Sequence, residues 1–403
     1  MTEETSDLLG RKIVILIAGF ARGGSERQAY LLARELRQRR ELDVEVWALF
    51  LADWYPGDYA KDFEAVGVPT RVLGFGMPRY GWVQRCLPIV RALRNHRADI
   101  LLPLTLWPNV VAGLCYRLAG VRSCVWGERS SGSEIMPRPA RIAARQYRRF
   151  VANSTAGINF LKDEMNVARH RIAFVPNAVE MPVARSGTDW RKNLRCGQDQ
   201  PLVVKIANIT GYKDHFTLLR AWKSVQDGWT ETQRPVLALA GYHADTFEAC
   251  RQFVVQTGLD STVRFLGGIS DTADLLHACD LTVFSSRKEG MPNAVLECMA
   301  AGKAVVSTDL PGVRDAMGPC SADALVPPGD PEALANSILA YLKDRQRREV
   351  LGRKNLQRIR DEFSVKRMTD GYLRAVRDAA PHLVKRASRG KAPVKFSSGA
   401  TAD

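Results

Sequence analysis

The stretch from Leu281 to Asp309 constrains the fold of this chain most, because its pattern switches from strand to helix and back. Leu281 to Ser286 is a short apolar run of the kind that forms a strand buried on both faces. A loop ending at Pro292 follows, and we expect Asn293 to cap the helix after it. Ala304 to Thr308 is again a strand pattern. This order predicts a βαβ unit of a parallel sheet, with its loop at the carboxyl end of a strand, where ligands gather.

Two carboxylates flank that loop, Glu289 within it and Glu297 early in the helix. Helical side chains lean toward the N-terminus, so both could face one ligand. The backbone N–H groups from Gly290 to Asn293 suit a phosphate, whereas a carboxylate beside phosphates is better suited to accept hydrogen bonds from hydroxyls. A nucleotide-sugar meets both demands. On spacing alone, two solvated surface charges are the favoured interpretation.

The residues Glu289-Gly290-Met291-Pro292-Asn293 and then Glu297 resemble the signature of the retaining family-four glycosyltransferases, which have the GT-B fold. The resemblance extends over about Lys12 to Ala379. It implies an α/β architecture of two Rossmann-like domains facing across a cleft, with a C-terminal helix crossing back to the first domain. It also implies a catalytic Glu289, which holds sugar hydroxyls. The donor-binding residues that it implies in this stretch are Gly290, Met291, Pro292, Asn293 and Glu297.

Lys213 follows a predicted strand, at a position where the family carries a lysine that holds the donor diphosphate. The resemblance therefore implies both catalytic and donor-binding roles for Lys213. The arginine that accompanies it in the family falls here on a non-basic residue, Asn208, Thr210 or Gly211. Gly241 ends a later strand and, as in relatives, is expected to lie beside the nucleobase.

Near the N-terminus, the strand Lys12 to Ala18 leads into a glycine loop, and Ser25 with Gln28 predicts a capping box for the next helix. The loop lacks the Lys-Ser/Thr pair of a Walker A motif and is not G-x-G-x-x-G, which counts against a NAD-dependent enzyme. Gly23 and Gly24 resemble the family loop that approaches the donor diphosphate. A tight turn between strand and helix would explain the same two glycines.

Two residues are acceptor-side candidates. Asn109 lies where many family members have a histidine, and capping of the next helix would also explain it. Arg129 lies just past a predicted strand, where it could meet an acceptor or a phosphate. Pairing of Arg129 with Glu128 or Glu134 is the alternative.

Length and composition limit the domain count, the cellular location and the chemistry that we expect of this chain. The chain has 403 residues and 46% hydrophobic residues, which suffices for two or three domains. The apolar run from Ile13 to Phe20 is too short to span a bilayer and the N-terminus is polar, so we expect a cytoplasmic protein. The eight cysteines contain no C-x-x-C pair, so reduced thiols are expected. The lack of an Asp-x-Asp triplet favours metal-independent chemistry.

The net charge of +15 is concentrated in two zones. Residues 101–150 include 8 basic and 2 acidic residues, and residues 351–400 include 13 basic and 4 acidic residues. These zones suggest an anionic partner, such as membrane headgroups at the inner face or a lipid-linked diphosphate. Nucleic acid is not expected, because no nucleic-acid-binding motif is recognisable. A basic helix predicted from Pro139 to Phe150 is either a solvated face or a membrane contact.

The family resemblance, taken with these patterns, implies a retaining, metal-independent hexosyltransferase without a cofactor. It would move sugar from a nucleoside-diphosphate-sugar to a glycan or lipid-linked glycan in cell-surface polysaccharide or lipopolysaccharide assembly. The alternatives are a nucleotide-sugar hydrolase or epimerase of the same fold and a non-enzymatic anionic-polymer-binding protein. The predicted segments are an acceptor-side domain (1–182), a linker (183–200), a nucleotide-sugar-binding domain (201–363), a crossover helix (364–381) and a disordered basic tail (382–403).

Overall fold

The computed structural model of the protein describes residues 8–50, 58–76, 82–132, 138–183 and 186–384. The chain divides into two compact units. Unit 1 comprises Met1–Gly127, Pro137–Phe150 and Tyr372–Asp403, and unit 2 comprises Glu128–Met136 and Val151–Gly371. The predicted tail lies outside the described residues from residue 385 onward. The domain boundaries given above stay predictions.

The first sheet has seven strands within the described residues: β1 (Lys12–Ile17), β2 (Asp43–Ala48), β3 (Thr70–Val72), β4 (Ile100–Pro103), β5 (Ser123–Glu128), β6 (Arg149–Ala152) and β7 (Ile172–Phe174). Their order is β3-β2-β1-β4-β5-β6-β7, and β1 pairs in parallel with both β2 and β4. β1 is apolar and buried from its second residue onward, as expected of a central strand covered on both faces.

The second sheet has six strands in the part of the chain that is described: β8 (Leu202–Ile206), β9 (Val236–Ala240), β10 (Val263–Gly267), β11 (Leu281–Phe284), β12 (Val305–Thr308) and β13 (Leu325–Val326). Their order is β10-β9-β8-β11-β12-β13, and every neighbouring pair is parallel. The order reverses between β8 and β11. In open α/β sheets, ligands bind at the carboxyl ends of strands at such a reversal.

Helices alternate with the strands in both sheets, which is the Rossmann-like pattern expected from the sequence. The α-helices among the described residues are α1 (Gly24–Arg34), α2 (Ala60–Ala65), α3 (Trp82–His96), α4 (Leu106–Cys115), α5 (Arg138–Ala144), α6 (Thr155–Asn159), α7 (Trp190–Asn193), α8 (His215–Asp227), α9 (Phe247–Gln256), α10 (Thr272–Ala278), α11 (Asn293–Ala300), α12 (Pro311–Met317), α13 (Pro331–Lys343), α14 (Arg345–Glu362), α15 (Val365–Ala379) and α16 (Pro381–Val384). Two π-helical turns, Glu35–Arg39 and Phe160–Glu164, extend α1 and α6.

The predicted basic helix from Pro139 to Phe150 is wrong in its second half. α5 ends at Ala144, and Arg149 begins β6. The reason is that Phe150 opens an apolar run, which is fully buried in the sheet, and burial of such a run outweighs the helix propensity of the basic residues before it.

The C-terminal helix is confirmed as Val365–Ala379, and from Tyr372 onward it belongs to unit 1. The long helix α14 before it was not predicted, because few of its residues are buried and its apolar stripe is narrow. α14 packs closely: a Cβ on Gly352 would lie 2.2 Å from the carbonyl oxygen of Gly302. No helix among the described residues is long and apolar enough to span a bilayer.

Candidate active site

A lysine–glutamate pair lies where the strand order of the second sheet reverses. Lys213 ends a 3₁₀ turn, Gly211–Lys213, after β8, and Glu289 lies in the loop after β11. The Nζ of Lys213 is 2.5 Å from Oε1 of Glu289, and their side chains are only 17% and 12% exposed. Ser286 Oγ donates a hydrogen bond of 2.9 Å to the same carboxylate oxygen. The structure thus brings together the two residues predicted to be catalytic.

The backbone that carries Lys213 is fixed by the next residue. Asp214 has a left-handed conformation, with φ of 47°, which aspartate tolerates better than most residues. Its buried carboxylate accepts hydrogen bonds from Thr217 N and, at 2.8 Å, Thr217 Oγ1, and so caps α8. Arg287 Nε lies 3.4 Å from the same carboxylate. Asp214 therefore holds the turn, the start of α8 and the loop after β11 together.

A lysine that the sequence analysis did not single out lies beneath this pair. Lys205, in β8, is 1% exposed. Its Nζ donates to the carbonyl oxygen of Lys213 (2.5 Å), to the carbonyl oxygen of Ser285 (2.9 Å) and to Ser285 Oγ (2.6 Å). Burial, together with the charge of Lys213, lowers the pKa of Lys205 well below its usual value. The signal that could have found it is a charged residue inside a strand predicted to be buried.

His215 is the first residue of α8 and is also buried, at 2% exposure. Neither of its ring nitrogens has a hydrogen-bond partner among the described residues. Burial, with the nearby charges of Lys205 and Lys213, lowers the pKa of His215 to about 2. The imidazole is therefore neutral throughout the physiological pH range.

The loop after Glu289 passes through a gap that only glycine can fill. A Cβ on Gly290 would lie 2.5 Å from the carbonyl oxygen of Arg129, and a Cβ on Gly312 would lie 1.5 Å from the carbonyl oxygen of Gly290. The N–H groups of Gly290 and Met291 have no hydrogen-bond partner among the described residues. These two N–H groups agree with the uncommitted donors expected of the loop.

The prediction that Asn293 caps α11 is wrong. Pro292 is the N-cap and Asn293 is the first helical residue. Asn293 Oδ1 instead accepts a hydrogen bond of 2.7 Å from Asn177 Nδ2, which also donates to the carbonyl oxygen of Met291 at 2.9 Å. A cap needs an extended backbone, and here the extended residue is the proline. Asn293 is thereby freed to bind Asn177, a residue that the sequence analysis had not assigned to the site.

Arg129 joins the same polar cluster. Arg129 Nη2 donates to Asn177 Oδ1 at 2.5 Å, and Asn153 Nδ2 donates to that oxygen at 3.0 Å. Glu128, one of the partners expected for Arg129, accepts hydrogen bonds from the N–H and the hydroxyl of Ser130. Glu134 lies outside the described residues. The acceptor-side role of Arg129 stays a prediction.

Glu297 is the fifth residue of α11 and is partly buried. Glu289 precedes that helix and Glu297 lies on its second turn, so both predicted carboxylates belong to the β11–α11 unit. The donor-binding role of Glu297 is a prediction that its position alone does not test.

Gly241 lies at the carboxyl end of β9, with φ of 159°. A Cβ there would lie 2.0 Å from the carbonyl oxygen of Ala207, so the close approach of β8 and β9 requires glycine. Asn208, one of the positions considered for the family arginine, accepts a hydrogen bond of 3.1 Å from Tyr242 N. Its amide therefore stabilises the strand ends. The contact of Gly241 with a nucleobase stays a prediction.

In unit 1, the predicted capping box is wrong. Gly23 is the N-cap of α1 without a side-chain cap, and Ser25 lies inside the helix, where its hydroxyl donates to Glu26 Oε2 at 3.1 Å. A Cβ on Gly23 would lie 2.4 Å from that oxygen. Because this oxygen is the end of a flexible side chain that can move away, the contact does not by itself require glycine at this position. The predicted contact of Gly23 and Gly24 with a donor diphosphate is not tested by these contacts.

Asn109 does not cap α4, which begins at Leu106 after Thr105. The side chain is fully buried. Its Nδ2 donates to the carbonyl oxygen of Gly127 at 2.9 Å, and Gly127 N donates to its Oδ1 at 3.0 Å. This reciprocal pair stabilises the end of β5, and the geometry adds no support for an acceptor contact by Asn109.

Two family models match the chain, and together they cover most of it. Residues 22–181 match the model described as Glycosyltransferase Family 4, and residues 187–358 match Glycosyl transferases group 1. The chain belongs to the family 4 glycosyltransferases. The second match includes Lys213, Glu289 and Glu297, so the candidate site lies within the region that identifies the family.

The matches to curated relatives extend over most of this chain. It is 24% identical to 2-deoxystreptamine N-acetyl-D-glucosaminyltransferase of Streptomyces fradiae, over 81% of this chain and 84% of that protein. It is 28% identical to the lipopolysaccharide core biosynthesis glycosyltransferase LpsE of Rhizobium meliloti, over 73% of this chain and 87% of that protein.

Solved structures share the fold of this family member. Anabaena Alr3699/HepE, in complex with UDP and glucose, matches with a TM-score of 0.76 at 20% identity, over 90% of this chain and 98% of that one. A glycosyltransferase from Rickettsia africae matches with a TM-score of 0.77 at 14% identity, over 94% and 100%. The predicted GT-B fold class is confirmed.

Proposed function

We propose that the chain transfers a sugar from a nucleoside-diphosphate-sugar to an acceptor hydroxyl, with retention at the anomeric carbon and without a metal ion. The observation that carries the proposal is the Lys213–Glu289 pair, at 2.5 Å, at the strand-order reversal of the second sheet. A cation and a carboxylate side by side suit a ligand that has both phosphates and hydroxyls.

In this proposal Lys213 is the counter-charge for the diphosphate as it leaves, and the N–H groups of Gly290 and Met291 donate to its oxygens. Glu289 accepts hydrogen bonds from the sugar hydroxyls and stabilises positive charge at the anomeric carbon. Glu297 binds the ribose hydroxyls. Donor binding thus places a phosphate next to Lys213. Lys213 and Glu289 then exchange their contact with each other for contacts with the diphosphate and with the sugar hydroxyls.

Retention is proposed by analogy with the family, as a front-face displacement. The bond from the anomeric carbon to the diphosphate oxygen breaks, and the bond from the acceptor oxygen forms on the same face of the sugar. The acceptor proton passes to the departing phosphate oxygen, so that no protein nucleophile is required.

We place this reaction in cell-surface polysaccharide or lipopolysaccharide assembly, with a glycan or lipid-linked glycan as acceptor. The support is that a relative, LpsE, is described as a lipopolysaccharide core biosynthesis glycosyltransferase, and that the HepE structure contains UDP and glucose. The proposal includes a cytoplasmic location and contact with an anionic membrane surface.

The test is to incubate the protein with UDP-, GDP- and ADP-sugars, with and without glycan acceptors, in EDTA. We expect a glycosylated acceptor whose new linkage has the anomeric configuration of the donor by NMR. Free or isomerised sugar nucleotide products without any acceptor product would favour the hydrolase or epimerase alternative. Binding to an anionic polymer that is unchanged in Glu289→Gln, without any nucleotide binding, would favour the binding-protein alternative.

A further inference from the structure

Lys205 is the most deeply buried charged side chain near the candidate site, and its contacts are specific. An ammonium group has three N–H donors and no acceptor. Two of the acceptors of Lys205, the carbonyl oxygen and hydroxyl of Ser285, follow β11, and the third is the carbonyl oxygen of Lys213, after β8. All three lie on the two segments that carry the Lys213–Glu289 pair.

Ser285 completes this connection. Its hydroxyl is 3.0 Å from the carbonyl oxygen of Asp214 and 3.4 Å from that of Lys213. Lys205 and Ser285 therefore join the turn after β8 to the loop after β11 by buried hydrogen bonds, and the Lys213–Glu289 ion pair joins the same two segments a second time. Few side chains could replace Lys205 here, because its replacement would need one donor group that satisfies three buried acceptors at once.

A buried ammonium is a costly way to join two loops. Desolvation of an ammonium that has no carboxylate within hydrogen-bond distance opposes folding. A methionine of similar length would avoid that cost but would leave the three acceptors without this donor. Residues that oppose folding in this way are characteristic of functional sites. The depressed pKa of Lys205 has the same origin, since both burial and Lys213 disfavour its charge.

We propose that Lys205 is a positioning residue for the donor site, which holds the backbone of Lys213 against Ser285 so that the Lys213 ammonium meets the donor diphosphate. This inference rests on the proposed function. Lys205 does not contact the substrate in this inference. It affects sugar transfer only by positioning Lys213.

The test uses Lys205→Met, with Lys303→Met as the matched control. The Nζ of Lys303 also donates to two backbone carbonyl oxygens, those of His277 and Cys279, but away from the candidate site. The ligand probe is whichever of UDP, GDP and ADP stabilises the wild-type protein most. For Lys205→Met we expect about ten-fold weaker nucleotide binding and a raised KM for the donor with an unchanged KM for the acceptor. Lys303→Met should match the wild type in binding and kinetics.

A double-mutant cycle separates positioning from a general structural role. In a Lys213→Ala background, adding Lys205→Met should change nucleotide affinity less than two-fold, because Lys205 acts through Lys213. An undiminished ten-fold loss in that background, or wild-type affinity of Lys205→Met alone, would overturn the inference. If Lys205→Met does not fold, Ser285→Ala replaces it in the same cycle and is judged by the same criteria. Failure of the proposed function has a different signature, since the wild type itself would then neither bind a nucleotide nor transfer sugar.

Discussion

Lys213 Nζ and Glu289 Oε1 lie 2.5 Å apart although 76 residues separate them in the sequence. The contact exists because β8 and β11 are neighbours in the sheet, which places the ends of both strands side by side. Both side chains are mostly shielded from water, so the electrostatic coupling is stronger than in an exposed pair.

The first prediction concerns Glu289→Gln. The amide keeps the shape of the side chain but removes the charge that, in the proposed function, stabilises the anomeric carbon in the transition state. We therefore expect kcat to fall about 100-fold or more with little change in donor KM. Steady-state kinetics with the identified donor measures this. Glu248→Gln is the control, because Glu248 also pairs with a cation, Arg251 at 2.7 Å, but on the surface. Equal activity of the two variants would contradict the role of Glu289.

The second prediction concerns Gly312→Ala. Alanine is favoured over glycine within a helix by about 1 kcal/mol, but the new Cβ would lie 1.5 Å from the carbonyl oxygen of Gly290. Backbone overlap of this size should dominate and destabilise the protein by about 1–3 kcal/mol, with displacement of the loop that follows Glu289. Urea unfolding and nucleotide affinity measure the two effects.

Gly197→Ala is the control for that experiment, because its added Cβ would meet nothing closer than 3.7 Å. We expect unchanged stability and affinity. A Gly312→Ala protein as stable and as active as this control would show that the loop has a different path.

The third prediction concerns Asn177→Asp. Asn177 Nδ2 donates to Asn293 Oδ1 and to the carbonyl oxygen of Met291, and a carboxylate would face both acceptors with an oxygen. We expect a lower melting temperature and weaker nucleotide binding, because the loop from Gly290 to Asn293 loses both hydrogen bonds. Asn193→Asp, at an exposed helix end, should behave as wild type. If Asn177→Asp changes neither the melting temperature nor the nucleotide affinity, Asn177 does not support the loop.

The fourth prediction concerns acid stability and His215. The folded-state pKa of His215 is lowered to about 2, whereas the unfolded chain has a histidine pKa of about 6.5. As pH falls below about 6.5, the unfolded state therefore binds a proton first, and stability is lost at about 1.4 kcal/mol per pH unit. Between pH 6.5 and 5 this one group should contribute a loss of about 2 kcal/mol.

His215→Leu removes that contribution and so should flatten the pH dependence of unfolding by the same amount. The measurement is urea unfolding of both proteins at several pH values between 5 and 7.5. The difference between the two curves isolates His215 from the other groups that titrate in this range. Parallel curves would mean that the histidine is hydrated or hydrogen-bonded in solution.

Much of the fold follows from local sequence signals. The helix Pro331–Lys343 has clear local signals at its start, because Asp330 caps it and proline is its first residue. The strand Leu202–Ile206 likewise has an apolar pattern, which is interrupted only by Lys205. Local pattern indicates that a segment is a buried strand, but it does not show what a charge inside that strand contacts.

The parts that were missed depend on contacts distant in sequence. Asn293 has the residue type of a cap, and only the position of Asn177, 116 residues away, explains why it is used otherwise. Asn109 likewise has the type of a cap, and Gly127 binds its amide instead. The motif from Glu289 to Glu297 predicts the candidate site, but the residues that hold the motif in place are visible only in the structure.

Thermal stabilisation by UDP, GDP and ADP, measured on the wild type and on Glu297→Ala, tests the donor site most directly. A ligand that binds only the folded protein, at about 100 times its dissociation constant, adds about 2.7 kcal/mol of stability. We predict that one nucleotide raises the melting temperature and that the effect is weaker in Glu297→Ala, because in the proposed function Glu297 holds the ribose. If none of the three nucleotides stabilises the wild type at millimolar concentration, the donor site is not where Lys213, Glu289 and Glu297 lie.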